Sequence, residues 1–294
     1  MTQLISPSHR VILVALGTLL LDLFAFPQSA TQAVVATPVA NMYSAASIDT
    51  DVVSQAIYAS QVAVIEQKDG FTHVRTPDAY SGWIRDQELV LQSTASTRPA
   101  LAEVRSLSAN LYREPDVTKH APVLTVPFET QLEIIPQPEP ESRDYLHVRL
   151  LDRHDAWIDR GDVELNPHPL TIPESIELAK RFLGITYTWG GRSSFGYDCS
   201  GFTQMLIRSR GITMPRDADL QAAWSGVVPV ERKRLRPGDL LFFGASSDKI
   251  THTGMFIGKG KFIHDTTNGH PGVQISRLND QPWTHLLVAA RRVK

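Results

Sequence analysis

The sequence predicts an α+β protein in which two small β-barrels precede a larger domain of two helices followed by an antiparallel sheet. Three observations lead there. A pattern of short strands and polar turns occurs twice ahead of residue 166, and Asn166-Pro167-His168-Pro169 then makes a stiff break. Beyond the break, helical periodicity gives way to strand periodicity. A chain of 294 residues also exceeds one ordinary domain.

In the first unit, residues 34–92, residues 61–66 read as a strand and Lys68-Asp69-Gly70 as a turn. Residues 71–75 alternate as a second strand, and residues 80–84 close the hairpin. A linker rich in Ser, Thr and Pro covers residues 93–100, and the pattern recurs over residues 101–166. Ala109-Asn110-Leu111-Tyr112 echoes Ala40-Asn41-Met42-Tyr43, Tyr145-Leu146-His147-Val148-Arg149 echoes Phe71-Thr72-His73-Val74-Arg75, and Ala156-Trp157-Ile158 echoes Gly82-Trp83-Ile84. Ordered matches at similar offsets indicate an internal duplication. Units of this size built from short strands suit a small SH3-like barrel, and both resemble bacterial SH3-like domains in their early Asn-Met/Leu-Tyr and late Trp-Ile.

The third unit, residues 167–294, opens with apolar residues at helical spacing over 172–183, with Thr171 as the expected cap. Gly190-Gly191 marks a turn, and residues 198–207 read as a second helix. Past Pro237-Gly238, strands are expected at 239–243, 252–258 and 261–265.

Composition excludes several classes of function. A net charge of -2 favours neither nucleic acid nor an anionic membrane as partner. The single cysteine, Cys199, rules out an internal disulfide and argues against a thiolate zinc site, so it is either a small buried hydrophobe or a reactive thiol. The histidines lack paired metal-ligand spacing, so no metal and no cofactor is expected. At the N-terminus, His9 and Arg10 precede an apolar run over 11–26, and Ala30-Thr31-Gln32-Ala33 resembles a cleavage site. Residues 1–33 therefore read as a signal-like segment, with export to the periplasm or cell envelope expected and a docked N-terminal helix on a cytoplasmic recycling enzyme as the alternative. The run is too short and interrupted for a stable membrane span.

Thiol catalysis needs a thiolate, a base, a group that holds the base, and oxyanion donors. Cys199 sits just before an apolar-periodic helix, where unpaired N–H groups and the macrodipole are expected to lower its pKa. His252 and His264 flank the turn Gly258-Lys259-Gly260, so adjacent strands would set the two imidazoles side by side. Gly190-Gly191 lacks P-loop spacing, Ser193-Ser194 and Ser246-Ser247 lack an elbow motif, and Arg232-Lys233-Arg234-Arg236 reads as a solvated loop.

Six blocks carry a resemblance to the NlpC-type family of bacterial cell-wall cysteine peptidases: Tyr187-Thr188-Trp189-Gly190-Gly191, Tyr197-Asp198-Cys199-Ser200-Gly201-Phe202, Met214-Pro215-Arg216-Asp217, residues 235–243, residues 252–258 and Lys261-Phe262-Ile263-His264. The resemblance implies a papain-like domain with Cys199 as nucleophile, His252 as base, His264 as the residue orienting it, and Tyr187 assisting the oxyanion hole. Two SH3-like units ahead of such a domain resemble the subgroup that cleaves γ-D-glutamyl to diamino-acid bonds (meso-diaminopimelate or L-lysine) in peptides with a free N-terminal L-alanine. In that subgroup Asp198 would bind the substrate amine with help from Ser200, Trp189 would form an apolar wall, Asp217 would add a polar contact, and Tyr80 would close the cleft from the first barrel. Related first barrels often carry an acidic residue near the position of Ala45-Ala46, which this chain lacks. The expected substrate is a peptidoglycan stem peptide and the expected state a monomer. A remodelling enzyme acting on intact wall and a non-catalytic wall-binding protein are the alternatives.

Overall fold

A computed structural model describes residues 31–92, 100–136 and 143–294. Residues 1–30 of the signal-like segment and residues 93–99 of the linker lie outside the described residues.

The first barrel is built from β1 (Gln32–Val35), β2 (Val39–Tyr43), β3 (Val52–Ile57), β4 (Gln61–Lys68), β5 (Phe71–Arg75), β6 (Ser81–Arg85) and β7 (Leu89–Gln92), in the sheet order β3-β2-β6-β5-β4-β1-β7. The second is built from β8 (Leu101–Val104), β9 (Ser108–Tyr112), β10 (Leu124–Pro127), β11 (Gln131–Ile134), β12 (Tyr145–Arg149), β13 (Asp155–Asp159) and β14 (Val163–Leu165), in the order β10-β9-β13-β12-β11-β8-β14. The two orders are the same, strand for strand. The sequence echoes have a packing cause: Met42, Val74 and Ile84 fill one barrel core, and Leu111, Val148 and Ile158 fill the other. Outside each core a cross-strand imidazole stacks on a tryptophan, His73 on Trp83 at 4.8 Å and His147 on Trp157 at 4.3 Å between ring centroids.

One boundary moves. β1 begins at Gln32, and Ala33 is a fully buried core residue of the first barrel, so the barrel starts inside the stretch read as signal-like. Small residues suit a tight barrel core as well as a cleavage site, which is why Ala33 misleads.

In the C-terminal domain α1 (Ile172–Arg181) begins on Thr171. The Thr171 hydroxyl accepts from the Glu174 N–H, and the Glu174 carboxylate accepts from the Thr171 N–H at 2.8 Å, a reciprocal cap. A short hairpin follows, β15 (Arg192–Ser193) with β16 (Gly196–Tyr197), then α2 (Cys199–Arg208) and α3 (Ala218–Ala223). The sheet comprises β17 (Val227–Pro229), β18 (Leu240–Ser246), β19 (Lys249–Gly258), β20 (Lys261–Thr266), β21 (Gly272–Arg277) and β22 (Leu287–Val293), ordered β17-β22-β18-β19-β20-β21. A single turn, α4 (Trp283–Leu286), precedes the last strand. Strand alternation serves two cores: Phe242, Met255 and Ile263 pack with Phe202, Met205 and Leu206 of α2, while Phe243, Phe256 and Phe262 pack with Trp283. The layout expected from sequence, two helices and then a sheet, lacks α3 and α4 because neither is long enough to show a period. Among the described residues no helix is long and apolar enough to cross a membrane.

Candidate active site

Cys199 is the first residue of α2. Its N-cap, Asp198, accepts the Gly201 N–H at 2.7 Å. Residues 199–207 are all buried, so the helix runs through the core and the thiol is only 8% exposed at its mouth. The Thr253 and Ser200 backbone N–H groups donate to the sulfur, which sets it beside His252 in sequence and space. Burial, helped by the Asp198 charge, pushes the thiol up to about 12 against the pull of these donors and of Arg216. This corrects the expected lowering: desolvation outweighs the helix terminus.

The β19–β20 hairpin brings the two histidines together, with His252 Nε2 2.8 Å from His264 Nδ1 and His264 Nε2 3.0 Å from the Ser276 hydroxyl on β21. Gly254 makes this possible, since a Cβ there would lie 2.9 Å from the His264 Cβ. Trp283 packs edge-on to His264 (4.7 Å) and against His252 (5.2 Å), with Phe243 and Phe262 completing an apolar wall. Burial drives His252 down to about 4, and burial with the neighbouring His252 drives His264 well below its ordinary value, so both rings are neutral at neutral pH. A neutral His252 that takes a proton on Nδ1 carries its hydrogen on Nε2 and donates it to His264, which in turn donates from Nε2 to Ser276. The chain of bonds thus fixes one tautomer.

A reactivity profile follows. With thiol and imidazole both neutral, alkylation of the unliganded protein by iodoacetamide should rise about tenfold per pH unit from roughly pH 6 to pH 9 without levelling. A plateau below neutral pH would show a standing thiolate–imidazolium pair instead.

Beside the thiol lies a polar cluster that reaches into the first barrel. Arg216, 1% exposed, donates from Nη2 to Asp198 Oδ2 at 2.6 Å and from Nη1 to Asp198 Oδ1 at 2.9 Å and Ser200 Oγ at 2.7 Å. Its Nε reaches Ser54 of the first barrel at 3.2 Å. Asp198, expected to bind a substrate amine, carries an ion pair to Arg216. Its neighbour Asp217 is half-buried, has its pKa raised by burial, and accepts the Tyr80 hydroxyl at 3.1 Å. Burial and Asp217 push the Tyr80 phenol up to about 12, so it stays a donor.

Tyr187 is held by a backbone bridge to Tyr197, and burial followed by the charges of Cys199 and Asp198 raises its phenol. Trp189, expected to form an apolar wall, is 71% exposed. Gly190 next to it, at φ +71°, lies so close to the first barrel that a Cβ would meet the Val52 carbonyl at 2.5 Å. The structure thus brings Cys199, His252, His264, Asp198, Ser200, Asp217, Tyr80 and Tyr187 into one region.

Comparison with known proteins agrees with this geometry. Residues 184–292 match the NlpC/P60 family, and residues 42–89 match the bacterial dipeptidyl-peptidase Sh3 domain. A gamma-D-glutamyl-L-lysine dipeptidyl-peptidase of Bacillus cereus (strain ATCC 10987 / NRS 248) is 31% identical over 81% of this chain and 74% of its own length. The chain belongs to the NlpC/P60 family. A second protein of that name, from Bacillus subtilis (strain 168), is 28% identical over 83% of this chain and 82% of its own. The crystal structure of an NlpC/P60 family protein from Bacillus cereus ATCC 10987 superposes with a TM-score of 0.76 at 26% identity, covering 89% of this chain and 99% of that one.

As a member of this cysteine peptidase family, the chain carries further site groups that sequence reasoning did not single out. Arg216 stood in a quoted motif without a role. Gln221, fully buried on α3, donates to the Ser200 and Pro215 carbonyls at 3.0 and 3.1 Å and ties the pocket loop to α2. Ser276 and Trp283 support the histidines from elements with no motif of their own. Asp265, fully buried next to His264, has its carboxyl pushed up to about 8 by burial and by Asp198.

Proposed function

We propose that the protein hydrolyses the γ-D-glutamyl to diamino-acid bond of peptidoglycan stem peptides that carry a free N-terminal L-alanine. The observation that carries the reading is the pair of carboxylates beside Cys199, Asp198 and Asp217, with Tyr80 of the first barrel bonded to Asp217 and Ser54 to Arg216. Carboxylates there favour an ammonium group over an amide-capped chain continuing into glycan, which has no cation to pair with them. Asp217, held by Tyr80 and free of the Arg216 fork, is the carboxylate that meets the ammonium, and Asp198 with Ser200 frames the site. Exposed Trp189 flanks the arriving peptide.

His252 takes the Cys199 proton on Nδ1 as the sulfur attacks the γ-D-glutamyl carbonyl, and the oxyanion rests on the Cys199 N–H and the Tyr187 hydroxyl. His264 and Ser276 hold the imidazolium. Collapse of the tetrahedral intermediate sends the proton from His252 to the departing amine, leaving a thioester. Water, deprotonated by His252, then releases L-alanyl-γ-D-glutamate. The protein works as a monomer, and the names of its relatives favour lysine at the third position. The Arg10 flank and the apolar run over 11–26 support export, which N-terminal sequencing of envelope and cytoplasmic fractions tests.

The substrate reading is tested with the tripeptide L-alanyl-γ-D-glutamyl-L-lysine, its N-acetylated form and intact sacculi, with products read by mass. The free tripeptide should yield dipeptide and lysine, and acetylation should lower kcat/KM at least about a hundredfold through the lost ammonium contact. Equal cleavage of sacculi would identify a remodelling enzyme instead.

A further inference from the structure

The two barrels dock head to tail through the same turn. In the first barrel the turn after β3 inserts Tyr58 into the core of the second barrel, where its hydroxyl accepts the Leu151 N–H at 2.9 Å. In the second, the equivalent turn after β10 inserts Phe128 into the core of the peptidase domain, where it packs edge-on to Phe182, and the Phe128 N–H reaches the Ser194 hydroxyl at 2.9 Å. The residue that follows differs between the copies. Ala59 and Glu129 both sit at positive φ, +62° and +69°. A long acidic side chain is a poor choice for that conformation, and its reason lies across the domain boundary.

Glu129 grips the end of the helix that carries Cys199. Its Oε1 accepts Arg208 Nε at 3.0 Å and its Oε2 accepts Arg208 Nη2 at 2.6 Å, a two-pronged pair with side chains 13% and 29% exposed. Arg208 is the last residue of α2. From it the chain of bonds continues along the helix: Arg208 Nη1 donates to Gln204 Oε1 at 3.4 Å, and Gln204 Nε2 donates to Asp78 Oδ2 of the first barrel at 2.8 Å. Arg192 adds a bond from Nε to Gln204 Oε1 at 3.3 Å. Both barrels therefore hold the same helix by a carboxylate at a turn.

Apolar packing holds the opposite face, where Phe202, Met205, Leu206 and Ile207 are fully buried. Among the described residues a cavity of about 1080 Å³ opens where the three domains meet, lined by Asp78, Glu129, Arg192, Gln204 and Arg208 among others. On that side the face of α2 formed by Gln204 and Arg208 is held by polar links. The first turn is fixed separately through Asp198, Arg216 and Gln221, and the fork to Arg208 fixes the far end of the same helix.

We propose that Glu129, in a barrel remote from the cleft, is a positioning residue that sets the aim of the Cys199 thiol through Arg208. The proposal rests on Cys199 being the nucleophile. In the Glu129→Gln variant of the full chain, the fork to Arg208 is lost. Turnover of the free tripeptide per folded molecule should fall about tenfold with KM within twofold of wild type, and iodoacetamide alkylation of Cys199 at fixed pH should slow in step. Glu129→Asp should recover part of both. Where Glu129→Gln fails to fold, Arg208→Lys keeps the charge, loses the fork and should show the same split. A lower melting temperature with wild-type kcat and alkylation rate in the folded fraction would reduce Glu129 to a purely structural tie and overturn the proposal. Turnover by Cys199→Ala would instead remove the reading on which it rests, and the two failures are distinguishable.

Discussion

Cys199→Ala should lower release of dipeptide from the free tripeptide by about four orders of magnitude or more, with the fold intact. The expectation follows from the chemistry available in the pocket. Without the sulfur there is no thioester, and the only remaining nucleophile is a water molecule that must attack an unstrained amide. What persists is the smaller contribution of positioning and of the oxyanion donors. The folding side is favourable because Cys199 is a small residue at a helix start and alanine suits that place. Circular dichroism should overlay with wild type while the mass-read product disappears. Turnover within about tenfold of wild type would assign the chemistry to another group.

Arg216→Gln should have the largest effect on stability. The guanidinium is buried against Asp198, Ser200, Ser54 and the Gly191 carbonyl, so it joins the N-cap of α2, the pocket and the first barrel in one group. Removing it leaves the Asp198 carboxylate buried and unpaired, which costs about 3–5 kcal/mol. In a protein of this size that corresponds to a fall in melting temperature of roughly 10 °C. The sign for activity is the less obvious part. Arg216 also offsets one of two carboxylates near the proposed ammonium site, so KM should change less than stability does. Arg216→Lys keeps the charge and loses the fork, and should fall between wild type and glutamine in a thermal melt. A glutamine variant that melts like wild type would show that Asp198 is satisfied by Gly201 and Ser200 alone.

Hairpins and the duplication were readable from sequence because their signals are local. Residues 71–75 alternate, Lys68-Asp69-Gly70 must turn, and the repeated Trp-Ile and Asn-Met/Leu-Tyr report residues that pack the same way in each barrel. The helix at Cys199 and the histidine hairpin were readable for the same reason. What escaped is tertiary. The Asp198–Arg216 pair joins residues that no spacing rule links, and Trp283 reaches the histidines from one turn of helix near the C-terminus. The direction of the thiol shift was misread because a helix start is visible in a sequence, whereas the burial that outweighs it is not.

Trapping the intermediate tests the central claim most directly. Wild-type protein mixed with excess free tripeptide, quenched in acid within the first turnover and digested, should yield the fragment bearing Cys199 with the added mass of an alanyl-glutamyl acyl group. The adduct should be absent from Cys199→Ala and should decay as dipeptide appears. Dipeptide released at full rate with no acyl mass on that fragment, or with the mass on a different residue, would contradict the account.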